Sequence, residues 1–100
     1  DICRDLMLSK PAVFAFRDQM MRSALSIPSN IAEGSERDTV PDFSRFLRIA
    51  KGSAAELRTQ IYLAARLELV PNDKASDYIA RVKSISAMLQ ALIRSIAPKS

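Results

Sequence analysis

The 100-residue sequence contains no histidine, only two glycines, a single cysteine and no long uncharged apolar run. Without imidazole there is no Ser/His/Asp or Cys/His nucleophile activation, no HExxH zinc helix and no Glu-x-x-His di-iron site. Cys3 has no intrachain partner for a disulfide, and no basic segment, apolar run and cleavage site mark a signal peptide at the amino terminus. Both point to a reducing cytoplasm. Charged residues interrupt every hydrophobic run well before the ~18 residues that a membrane span requires. Composition therefore argues against an enzyme and against a membrane protein, and it leaves open what the chain does.

What is present is hydrophobicity at helical spacing. Of the residues 48% are hydrophobic and 26% charged, which describes one globular domain over 1–100. A chain of this size buries roughly 60–70% of its unfolded surface, so oligomerisation would help it. No segment alternates as a strand with turn dipeptides, and four helical segments emerge. Asp1 to Ser9 carries Ile2, Leu6 and Leu8 and reads as the tail of a helix that stops before Lys10-Pro11. Because the sequence opens at Asp1 within this pattern, the first helix is expected to be truncated. Val13 to about Gly34 puts Val13, Phe16, Met20, Ala24, Ile27 and Ile31 on one side of a second helix, which Pro28 is expected to bend or break.

A third helix is expected from Thr39, whose hydroxyl suits an N-cap, to Leu69 or Val70 ahead of Pro71. Phe43, Leu47, Ala50, Ala54, Leu57, Ile61 and Ala64 recur on it with steps of four and three, a heptad seam. A second stripe of Phe46, Ile49, Ser53, Leu63 and Leu67 runs beside it and is expected to serve an interface between subunits. Asn72 is the expected cap of a fourth helix, in which Tyr78, Val82, Ile85, Leu89, Leu92 and Ile96 recur before Pro98. Long amphipathic helices with short connections predict an all-α, antiparallel up-and-down four-helix bundle.

The net charge of +4 is mild, but its placement is uneven. From Phe43 to Arg66 there are five bases, Arg45, Arg48, Lys51, Arg58 and Arg66, against Glu56 alone; from Tyr78 to Ser100 there are four bases and no acid. Acids gather before helix starts, at Glu33, Glu36, Asp38 and Asp42 and again at Asp73 and Asp77, where helix dipoles favour them. The bases are either a solvated face or a surface for phosphates.

Two stretches carry a resemblance. Gln19 through Gly34, with Arg22, Ser26, Pro28, Asn30 and Glu33, resembles the central motif of the four-helix-bundle family first recognised in proteins encoded by intervening sequences of bacterial 23S rRNA genes. Phe43 through Leu57, with Arg45, Phe46, Lys51, Gly52 and Glu56, resembles its second. The resemblance implies a homo-oligomer, a pentamer, with no catalytic activity. It also implies kinship with the accessory protein of diversity-generating retroelements, whose basic barrel contacts nucleic acid and a reverse transcriptase.

Gly52 within a helix is expected to allow close packing of the second helix on a patch with Ala50, Ser53 and Ala54. Glu33 and Glu56 invite a paired-carboxylate reading, but the expected role is a structural polar network of Arg22, Asn30, Glu33, Ser53 and Glu56 between the second and third helices. The methionines, Phe14 and Phe16 are expected in the core. No residue set has metal-ligand spacing, and no cofactor is expected. The candidate phosphate contacts are Arg45, Arg48, Lys51, Arg58 and Arg66, with Tyr62 among them, and Lys83 and Arg94 on the fourth helix, linked by Ala87 and Gln90. The expected partners are copies of the chain, RNA or DNA read by shape, and a reverse transcriptase or another protein. The competing reading is a protein-interaction adaptor whose bases serve solubility and subunit contacts.

Overall fold

The computed structural model describes residues 9–98, and within them the fold is all-α with three helices and no strand. These are α1 (Lys10–Ser35), α2 (Val40–Arg66) and α3 (Asn72–Ile96). The expectation of a four-helix bundle is corrected to three helices, because the described chain has only three helical stretches to pack. The segment read as a first helix, Asp1 to Ser9, lies outside the described residues except for Ser9. That residue is the N-cap of α1, with φ −63° and ψ 148°, and its Oγ accepts from the Ala12 N–H at 3.3 Å. Lys10-Pro11 opens α1. Pro11 sits in the first turn, where an N–H has no partner within the helix.

Pro28 does not break α1, which runs through it to Ser35. Pro28 is exposed, and the carbonyl left without its N–H partner is that of Ala24, itself an exposed residue. At the start of α2 Thr39 caps as its sequence predicts, Oγ1 accepting from the Asp42 N–H at 3.3 Å. The end comes earlier than Leu69. Leu67 is the C-cap, Glu68 takes a left-handed φ of 60°, and the N–H groups of Glu68 and Leu69 donate to Ala65 and Ala64 carbonyls at 3.0 and 2.9 Å. This six-to-one and five-to-two pattern is a Schellman motif built on a residue other than glycine. Pro71, not Asn72, is the N-cap of α3, and no side chain caps that end.

α2 is the central element. It packs against both α1 and α3, whereas the Cα atoms of α1 and α3 nowhere come within 8 Å of each other. A helix with a neighbour on each side needs two apolar stripes, and α2 has them. Leu47, Ala50, Ala54, Ile61 and Ala64 of its main seam are buried. In the second stripe Ser53 and Leu67 are buried inside the chain itself, while Ile49 and Leu63 remain exposed. Ile27 from α1 and Ala75, Val82, Leu89 and Ile93 from α3 complete the core.

Because α1 and α3 stay apart, an apolar trough opens between them. One stretch is lined by Met20, Met21, Ala24, Tyr78 and Val82 among others, and the next by Ile27, Pro28, Ile31, Ile85, Met88 and Leu92 with Leu89. Side chains expected in the core stand instead on the open side: Phe14 is 74% exposed and Met88 70%, and Met21 is also exposed. Among the described methionines only Met20 packs on the core. Their helical spacing was apolar for the reason core residues are, but no described element covers that face.

Candidate nucleic-acid interface

Gly34, not Gly52, is the place of close approach. A Cβ at Gly34 would stand 2.8 Å from Phe46 Cβ and 3.0 Å from Phe43 Cδ1, so the last turn of α1 rests directly on the two phenylalanines that open α2. At Gly52 an added Cβ meets nothing within 4 Å, and the residue is exposed. The small buried residues that face into the chain are its neighbours Ala50, Ser53 and Ala54.

The polar contact between α1 and α2 is narrower than the sequence predicts. Ser26 and Ser53 share a hydrogen bond at 2.7 Å, and the Asn30 Nδ2 donates to both the Ser26 carbonyl (2.7 Å) and its Oγ (2.9 Å). Asn30 and Ser53 are thus brought together through Ser26, which sequence reasoning missed; a hydroxyl one turn before Asn30 on the same face was the available signal. Arg22 lies elsewhere, donating to Asp18 at 2.9 Å on the surface. Glu33 accepts from Arg37 in an exposed pair, and Glu56 is exposed. The two carboxylates are not set in a shared buried site, and no group of three metal-ligating side chains occurs among the described residues.

The bases divide into two sets. Arg45, Arg48 and Arg66 project from the outer side of α2, on a stripe that also carries Gly52, Ala55, Thr59 and the exposed Tyr62 at steps of three and four. None of the ion pairs among the described residues involves them. Lys51 and Arg58 are half-buried, and the Lys51 ammonium donates to Gln90 Oε1 of α3. Gln90 therefore anchors Lys51 rather than linking Lys83 to Arg94, both of which are exposed on α3. At the amino-terminal end of α2 the guanidiniums of Arg45 and Arg37 lie 4.5 and 4.8 Å from the centroid of the Phe46 ring.

Two grooves flank the ends of α2. Val40, Pro41, Ser44, Arg45, Arg48 and Ile49, with Ala97 and Pro98 from the end of α3, line one of about 560 Å³. At the other end Tyr62, Ala65 and Arg66 share the lining with Glu68, Val70, Pro71 and Asn72. The first combines two arginines with apolar side chains and no acid, whereas the second sets one arginine beside one glutamate.

Residues 2–91 match the family model described as 23S rRNA-intervening sequence protein. Among solved structures, a protein of unknown function from the S23 ribosomal protein family of Bacteroides thetaiotaomicron is similar in fold. It has a TM-score of 0.79 and 24% identity, covering 91% of this chain and 84% of that one. No curated protein matches the chain. No described helix is long and apolar enough to cross a membrane.

Proposed function

The chain belongs to the family of 23S rRNA-intervening sequence proteins, and from that premise we propose that it is a non-enzymatic, cytoplasmic scaffold that binds nucleic-acid phosphates. The observation that carries this reading is the exposed set of Arg45, Arg48 and Arg66 on the outer stripe of α2, none in an ion pair among the described residues. Each neutralised phosphate releases condensed counterions, and small residues at 52, 55 and 59 leave the path between the bases smooth. Lys83 and Arg94 add charge on α3, and Lys51 and Arg58 contribute the background field. Copies of the chain assemble through the apolar trough and the exposed Phe14, Met21 and Leu25, in a ring of the five-fold kind that the family resemblance implies. A monomer rarely leaves so continuous an apolar face in water.

Binding of a structured RNA followed against salt is the test. Three phosphate contacts predict a fall of about 20- to 40-fold in affinity between 50 and 200 mM salt. Charge reversal at Arg45, Arg48 and Arg66 together is expected to flatten that slope. Absence of binding at 50 mM salt defeats the proposal.

The apolar trough favours a second reading, an adaptor for another protein, a reverse transcriptase among them. Under that reading the charge reversals leave function intact and Met88→Lys abolishes it.

A further inference from the structure

The groove at the amino-terminal end of α2 differs from the rest of the basic surface in having a floor. Val40 and Ile49 are 44% and 42% exposed there, beside Pro41 and the Ala97-Pro98 turn that leaves α3. Two guanidiniums, Arg45 and Arg48, stand one turn apart at its margin, and Ser44 supplies a hydroxyl. Arg45 is held in place by the Phe46 ring at 4.5 Å. The nearby acids Glu36, Asp38 and Asp42 lie outside the lining. A solvated basic face needs no apolar floor, and a purely apolar protein contact needs no cations at its edge.

We propose that this groove takes one unpaired nucleotide of a single-stranded nucleic acid, its base against Val40, Ile49 and Pro98 and its phosphate between Arg45 and Arg48. The inference rests on the phosphate-binding reading and sharpens it from polyanions in general to single strands. Its volume of about 560 Å³ is that of a small-molecule pocket, large enough for a nucleotide. In a duplex the bases are stacked and paired, so only backbone could reach the groove and the floor would stay uncovered. In a single strand a base is free to leave the stack and cover apolar side chains without sequence reading. The groove at the other end of α2 lacks this fit, since its lining has one arginine and a glutamate in place of two arginines and no acid.

The experiment compares, by fluorescence anisotropy at 50 mM salt with the full chain, a 12-nucleotide adenylate strand, the same strand with abasic positions, and a 12-base-pair duplex. The intact strand is expected to bind at least fivefold more tightly than either. Ile49→Ser, an exposed substitution whose folding is checked by circular dichroism, is expected to remove that preference while leaving the salt slope unchanged. Arg45→Glu with Arg48→Glu is expected to weaken all three probes. Equal affinity for the three probes overturns the inference and leaves the phosphate reading standing. No binding of any probe overturns both. If an acidic peptide carrying apolar residues binds the groove and the adenylate strand does not displace it, the groove is a peptide site and the inference fails.

Discussion

At Gly34 a methyl group would enter the space that Phe46 Cβ already fills, 2.8 Å away, and backbone on one side and a ring stem on the other leave little room to yield. Gly34→Ala is expected to lower stability by about 1–3 kcal/mol. Gly52→Ala meets no atom and gains helix propensity, for about 1 kcal/mol of stabilisation. For a domain of this size 1 kcal/mol moves the midpoint of a thermal melt by about 4–8 °C, so the pair is separable by calorimetry. The two opposite signs also test which glycine makes the close approach, and an equal effect at both would contradict the packing described. Gln60 adds a third case at this scale. Its Oε1 is buried without a hydrogen-bond partner among the described residues, an arrangement that costs about 1–3 kcal/mol. Gln60→Met keeps the shape and removes the unpaired atom, and is expected to raise the urea midpoint with an unchanged slope.

α1 and α2 each have a start whose chemistry is visible in its own residues, and each carries one feature decided by context. Ser9 and Thr39 cap as hydroxyl residues do, and the Schellman turn at Leu67 to Leu69 is closed by backbone bonds alone. Glu68 occupies the left-handed position that glycine prefers, so Glu68→Gly is expected to stabilise the α2 end by about 1 kcal/mol, read as slower amide exchange at Leu69, whose N–H closes the turn. Inside α1, Pro28 costs one backbone hydrogen bond, and Pro28→Ala is expected to gain up to about 3 kcal/mol in thermal unfolding. A loss of stability instead would mean that the ring's contacts in the trough outweigh the missing bond. The second stripe of α2 was legible as apolar from its spacing. Spacing alone did not say that Ser53 and Leu67 are covered by the chain itself, because an apolar face is the same sequence whether its cover is a neighbouring helix or another molecule.

For the whole molecule the governing fact is that α2 lies between two helices that do not meet. The trough this leaves is lined mainly by apolar side chains, so Met21→Lys with Met88→Lys is expected to shift the mass measured by light scattering toward the monomer without unfolding it. A mass that stays constant in the double variant, or a wild-type chain that is monomeric at high concentration, contradicts assembly through this face. The same arrangement turns the outer side of α2 to solvent and places Arg45, Arg48 and Arg66 there, none in an ion pair among the described residues.

Helical spacing in the sequence determined the all-α class, the α2 seam, the cap at Thr39, the stop before Pro98 and the clustering of bases on two segments, because each is a property of residues within a few turns of one another. The same local pattern misplaced Phe14, Met21 and Met88 in a core and assigned close packing to Gly52. Only the tertiary structure decided those, along with the Ser26–Ser53 contact, the anchoring of Lys51 on Gln90 and the groove where Val40 and Ile49 meet the end of α3. Each depends on which helices lie side by side. That is set by the summed burial of many side chains far apart in sequence, and no single stretch encodes it.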